Sequence, residues 1–153
     1  MRSLLLLAAG ISTMLAAGSA SDSFAQVKPE DHVQNRQAAM RLQGKYLFPM
    51  IQMARGRAPY DAATVSRNAG YLQVLLQMPW DGFDPSTQRL KSAALPSVFK
   101  EPEKFKAAQD AVQKEAARLG EAAKGGDEAA VKPVILSLSD ACNNCHDNFR
   151  KKQ

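Results

Sequence analysis

D-E-A-A-V-K-P-V-I-L-S-L-S-D-A-C-N-N-C-H-D-N-F-R, residues 127–150, decides the fold. Val131, Ile135, Leu138, Cys142, Cys145 and Phe149 recur in alternating steps of four and three, the period of one helix face and not of a strand. Asp127 is suited to cap this helix. Pro133 lacks a backbone donor, so the helix either starts near Lys132 or bends there.

Working backwards, three more segments carry the same period. Val33, Gln37, Met40, Gly44, Leu47, Ile51 and Ala54 form a seam on the first, which Pro49 is expected to kink or interrupt before Gly56 and Pro59 end it. Asp61 is placed to cap the second, whose stripe is Val65, Ala69, Leu72, Leu75 and Leu76 up to Pro79. The third opens at Pro102, a residue suited to a first helical position, and runs through Phe105, Ala108, Val112 and Leu119 to Gly125-Gly126. Residues 80–101 show no period and form a long connection, a length usually reserved for loops that cover something. With no convincing strand alternation, the expected fold is all-α, an antiparallel four-helix bundle.

The N-terminus has a different character. Arg2, the apolar run from Leu4 to Ala9 and the small-x-small site Ser23-Phe24-Ala25 have the pattern of a cleaved signal peptide over residues 1–25. The run is too short and too interrupted to span a bilayer. The domain is then residues 26–153, exported, with no stable membrane insertion. Cleavage removes Arg2 and Asp22 together and leaves the net charge at +5. The basic balance lacks the aromatic interleaving of a nucleic-acid surface, so no nucleic-acid partner is expected. Arg150-Lys151-Lys152 is the one cluster near the cysteines that can steer an acidic partner.

Cys142 and Cys145 are the only cysteines, and His146, one of two histidines, follows directly. Thiols three apart on a helix are poorly placed for a disulfide. A structural zinc wants four ligands, and only His32 is left to add. A thiol oxidoreductase wants its CxxC at the start of a helix in a strand–helix context. Two thiols at this spacing can instead add across the two vinyl groups of a haem, leaving the imidazole to reach the iron. C-x-x-C-H therefore reads as attachment of one haem c. Gly44 on the first seam either gives the macrocycle room or makes a close helix–helix contact.

Taken with K-P-E-D at 28–31, R-Q at 36–37, A-P-Y-D-A-A at 58–63, P-W-x-x-F at 79–83 and C-x-x-C-H-D-x-F-R-K-K from Cys142, the chain resembles the class II cytochromes c, whose type member is cytochrome c′. The resemblance covers essentially all of residues 26–153. It implies haem c on Cys142 and Cys145, His146 as the fifth iron ligand, Arg36 and Gln37 near the haem propionates and edge, Trp80 and Phe83 on the loop side of the pocket, and Arg150 packed on the histidine. For Arg36 the alternative is an exposed helix arginine. Homodimers through the first two helices are also implied by the resemblance. High-spin members carry an apolar, non-ligating residue four positions after the arginine, whereas this chain has Met40. Methionine fills core gaps well, but a thioether above an open iron position is also a natural ligand.

The expected function is a non-enzymatic one-electron carrier of the bacterial periplasm with low-spin His146/Met40 ligation, serving soluble or membrane-bound redox partners. The alternative is a five-coordinate haem that binds nitric oxide or carbon monoxide. A haem-free thiol–disulfide protein is the third possibility.

Overall fold

A computed structural model describes residues 27–152, so the expected signal peptide and its cleavage site lie outside the described residues. Five helices are present among them: α1 (Pro29–Ala54), α2 (Ala62–Leu75), α3 (Ser97–Lys100), α4 (Pro102–Lys124) and α5 (Glu128–Phe149). The four long ones close a ring of contacts, α1 on α2, α2 on α4, α4 on α5 and α5 on α1. Adjacent helices run antiparallel. Tyr46 and Leu75 backbone carbonyls accept from Asn68 and Gln43 across the α1–α2 seam, and Phe105 near the start of α4 packs on Phe149 at the end of α5. The antiparallel four-helix bundle is the observed fold.

Local chemistry sets most of the ends. The Asp61 carboxylate accepts from the Ala63 and Thr64 amides at 3.0 and 3.2 Å, and Asp127 accepts from Ala129 at 3.0 Å, each satisfying a donor the first turn leaves free. Pro29 and Pro102 occupy first-turn positions of α1 and α4, where no backbone donor is missed. Gly56 and Gly126 take φ of +68° where the chain leaves α1 and α4, a backbone region that side-chain-bearing residues avoid.

Neither internal proline interrupts its helix or delays its start. α1 continues through Pro49 to Ala54, because Leu47 and Met50 on either side are buried in the core and hold the backbone helical. Burial of residues like these is worth about 1.5–3 kcal/mol each, enough together to offset the roughly 3 kcal/mol cost of a mid-helix proline. Likewise α5 starts at Glu128, ahead of Pro133. The Asp127 cap and the fully buried Val131 secure its first turn before the missing donor is met.

The core divides in two. A long cluster around Met50, Leu72, Leu119, Ile135 and Leu138 fills the end of the bundle near the short loops. A smaller one, Val98, Ala108, Cys145 and Phe149 with Phe83 and Phe105 against it, sits beneath the long connection. That connection is more ordered than its sequence suggests. It carries 3₁₀ turns at Asp81–Phe83 and Pro85–Thr87 and then α3, and residues 93–95 pair with the C-terminal tail.

Candidate cofactor site

Between the two cores lies unfilled space. One cavity is bounded by Arg36, Gln37 and Met40 of α1, by Trp80, Phe83 and Ser92–Ala94 of the connection, and by Cys145, His146 and Phe149 of α5. A second is bounded by Met40, Gly44 and Leu47 on one side and by Cys142, Cys145 and His146 on the other. Met40, Trp80, Cys145, His146 and Arg150 line both.

The seam expected on α1 explains this space. Val33 and Leu47 are buried as expected, but Gln37 and Gly44 are exposed and Met40 is half-buried. They share a face, yet in the middle of the helix that face meets unfilled space in place of protein. Gly44 has no neighbour within 4 Å of where a Cβ would stand. The close helix–helix contact weighed for it is therefore absent, and the room beside it is what a macrocycle needs. The close contacts fall at other glycines. A Cβ on Gly82 would stand 2.8 Å from the His32 carbonyl oxygen and 2.9 Å from Arg36 Cβ, and a Cβ on Gly120 would meet the Gln73 side chain.

The thiols and the imidazole suit a covalent haem. Both cysteines are free. Burial, then the neighbouring Cys145, pushes the Cys142 thiol up to about 11, and burial raises Cys145 against the opposing pull of Arg150. Both shifts favour the neutral thiol. Burial lowers the pKa of His146, and Arg150 lowers it further, which favours the neutral imidazole with a lone pair for a metal. No group of three or more His, Cys, Asp or Glu side chains able to hold a metal ion occurs among the described residues, which leaves the zinc alternative without ligands.

Arg36 is buried at 3% exposure, so the exposed-arginine alternative fails. Its guanidinium donates to the Gly82 carbonyl at 2.5 Å, to Thr87 Oγ1 at 3.0 Å and to Ser92 Oγ at 3.2 Å, and lies 4.5 Å over the Phe83 ring. It fastens the connection over the first cavity while still lining it. Gln37 lies exposed on the cavity rim. The Trp80 indole donates to the last turn of α2 at Leu76 O, 2.6 Å, and its ring stands in an aromatic wall with Phe83 and Phe105. Phe105, Phe149, Gly82, Thr87 and Ser92 were not foreseen as parts of this site. The aromatic residues had a signal, since Phe105 and Phe149 end two apolar stripes that meet when antiparallel. The others had none, because their partner Arg36 is 46 to 56 residues distant.

Comparison with known proteins agrees with this geometry. The family described as Cytochrome C' matches residues 31–150. A cytochrome c' of Alcaligenes xylosoxydans xylosoxydans is 35% identical over 126 residues, covering 82% of this chain and 98% of that protein. The crystal structure of cytochrome c' from Rubrivivax gelatinosus superposes with a TM-score of 0.78 at 33% identity, over 81% of this chain and 98% of that one. A nitric oxide complex of a cytochrome c prime variant from Alcaligenes xylosoxidans gives 0.77 at 34% identity, over 84% and 99%.

These relatives correct the expected function. Cytochromes c′, one of them solved with nitric oxide bound, do not support a low-spin His146/Met40 electron carrier. A gas adduct on the iron requires an axial position that a coordinated thioether would fill. The expectation rested on the residue type of Met40, and residue type gives the face of a helix and not the reach of a sulfur to a metal. Met40 is a half-buried wall residue of both cavities.

Proposed function

Because the chain belongs to the cytochrome c′ family, whose members carry covalent haem c, we propose that it binds a diatomic gas, nitric oxide or carbon monoxide, at an open axial position of a five-coordinate haem. When bound, the haem supplies an iron whose sixth position takes the gas. The chain's own residues do the rest. Cys142 and Cys145, one turn apart on α5, would hold the haem as thioethers, and the neutral His146 imidazole would be the protein ligand to its iron. Met40, on α1 across the same space, supplies an apolar surface where the gas would sit, so a small uncharged ligand is favoured over water or anions. Arg36 and Gln37, at the other side of the first cavity, are suited to the propionates, with Arg36 also keeping the connection closed.

The observation that carries this reading is the nitric oxide complex of a relative with the same fold. Export to the periplasm, gas capture without chemical turnover, and redox partner proteins that set the oxidation state of the iron belong to the same proposal. No helix among the described residues is long and apolar enough to cross a membrane. Exposed Leu42, Tyr71, Val74 and Met78 on α1, α2 and the turn after it offer a face for a homodimer. Electron paramagnetic resonance of the ferric protein, with optical spectra of the ferrous protein under carbon monoxide, tests the reading. A high-spin ferric signal and a new carbon monoxide band are expected. A low-spin ferric haem whose ferrous spectrum ignores the gas would refute it.

A further inference from the structure

Two stretches distant in sequence meet at the mouth of the first cavity. An isolated antiparallel bridge pairs Ala94 with Arg150. The Leu95 amide donates to Phe149 O at 2.9 Å, the Lys151 amide to Ala93 O at 2.8 Å, and Lys151 Nζ to Ser92 O at 3.2 Å. Ser97 Oγ adds a bond to Asn148 O at 3.0 Å. This pairing sets Ser92, and with it the adjoining Lys91, against Arg150, Lys151 and Lys152 of the tail, with Arg89 two residues further back along the connection. All five are exposed. Residues 85–100 and 148–152 contain no Asp or Glu at all.

The five cations differ from five of those on the helices. Lys104, Lys106, Arg118, Lys124 and Lys132 each pair with a carboxylate three or four residues away. None of the five has such a partner among the described residues. Like charges held side by side repel, and the fold tolerates this beside Ser92, Ala93, Ala94 and Arg150, which line the first cavity. Asp84 and Asp147 are the nearest acids in sequence, outside both stretches.

We propose that this basic seam is the docking surface for a protein presenting a carboxylate-rich face, which seats over the cavity mouth. The choice of a protein rests on placement. Arg150 lines the opening and Lys151 is tied to Ser92 of its wall, where a partner gains short access to the bound cofactor, and the charges lie on paired loop and tail segments in place of the apolar helix face that membrane-surface helices require. The proposal takes from the preceding reading only that the cavity holds the haem. It does not depend on gas binding. Charges at such a rim act mainly on the rate of encounter and are screened by salt.

The test uses the haem-loaded protein and a fluorescent poly-glutamate peptide as the acidic probe, read by anisotropy. Affinity should fall at least about tenfold in Lys91→Glu/Lys151→Glu, and again between about 20 and 200 mM salt, where the Debye length shrinks severalfold. Arg89→Glu/Lys152→Glu, which leaves the Lys151 contacts in place, should reproduce the loss. The control Arg55→Glu/Arg57→Glu reverses two cations just past the end of α1, roughly 22 Å along its axis from Met40 and without an ion-pair partner among the described residues, and should change affinity less than twofold. Equal loss in the control would reduce the effect to net charge and overturn the proposal. So would retention of peptide binding in both seam variants. Binding to phosphatidylglycerol vesicles without peptide binding would assign the seam to lipid, and displacement of peptide by equimolar inorganic phosphate would make it a small-anion site. The carbon monoxide spectrum of the seam variants should match wild type, so loss of docking and failure of the gas reading are separate results.

Discussion

The guanidinium of Arg36 and the carbonyl of Gly82 join the first helix to the long connection at 2.5 Å, across 46 residues of sequence. The pairing needs both residues as they are. Gly82 can approach α1 because it has no Cβ to strike the His32 carbonyl. Arg36 then reaches past it to Thr87 and Ser92. One planar fork with several donors satisfies three acceptors in a buried place, which a lysine ammonium on a flexible stem does not reproduce. Arg36 anchors the front of the connection, and the pairing of residues 93–95 with the C-terminal tail anchors its rear.

Arg36→Lys should therefore destabilise the protein by about 2–3 kcal/mol, the cost of leaving buried acceptors unmatched. Amide hydrogen exchange should accelerate selectively in residues 82–92, with the α2–α4 core unchanged. Gly82→Ala should loosen the same segment by steric means. Uniform acceleration through all helices in both variants would count against a local latch.

Covalent attachment is checked with acid–acetone, which should leave the haem on the wild-type polypeptide. Cys142→Ser and Cys145→Ser each retain one thiol on the shared face of α5 and should keep a singly attached haem. The double variant should release all of it. Free extraction from wild type would refute the assignment of both thiols.

Met40 lines both cavities opposite His146, so its bulk should limit gas entry. Met40→Ala should raise the carbon monoxide association rate roughly tenfold, equivalent to about 1.4 kcal/mol off the barrier. Stopped-flow mixing measures this. The haem should stay high-spin in both proteins, and a change from low to high spin on substitution would restore the sulfur as a ligand.

Asp61 gives a pH-dependent prediction remote from the cofactor. Hydrogen bonds from the Thr64 amide, then from the Thr64 hydroxyl, hold its carboxyl below the ordinary range. A depressed folded value means the cap stabilises fully above the unfolded pKa, about 3.9, and loses its advantage as pH falls through the folded value. Asp61→Ala should lower Tm at pH 7, with the gap narrowing below about pH 4. A gap independent of pH would remove the carboxylate from the explanation.

In the long core, Leu138 is fully buried on α5. Leu138→Ala should cost about 2–5 kcal/mol, the loss of buried surface plus the cavity left behind. Denaturant titration reads it directly, and a cost under about 1 kcal/mol would mean the core collapses to fill the gap.

The sequence by itself determined the features that depend on neighbours within a turn or two. The four helices, the Asp61 and Asp127 caps, the stripe on α5 and the thiols and imidazole of Cys142, Cys145 and His146 were all legible, because helix geometry converts a spacing of three or four into a shared face. Only the tertiary structure decided the rest. Pro49 and Pro133 sit inside unbroken helices because buried side chains on both sides outweigh one lost hydrogen bond. Arg36 became a loop fastening because its acceptors arrive from 46 to 56 residues away. Gly44 faces open space and Gly82 a crowded backbone, a difference set by which element packs opposite each. Arg89 and Lys91 joined the C-terminal cations through a single bridge between Ala94 and Arg150. Long-range contacts of this kind follow from the relative placement of whole elements, and local periodicity carries no record of that placement.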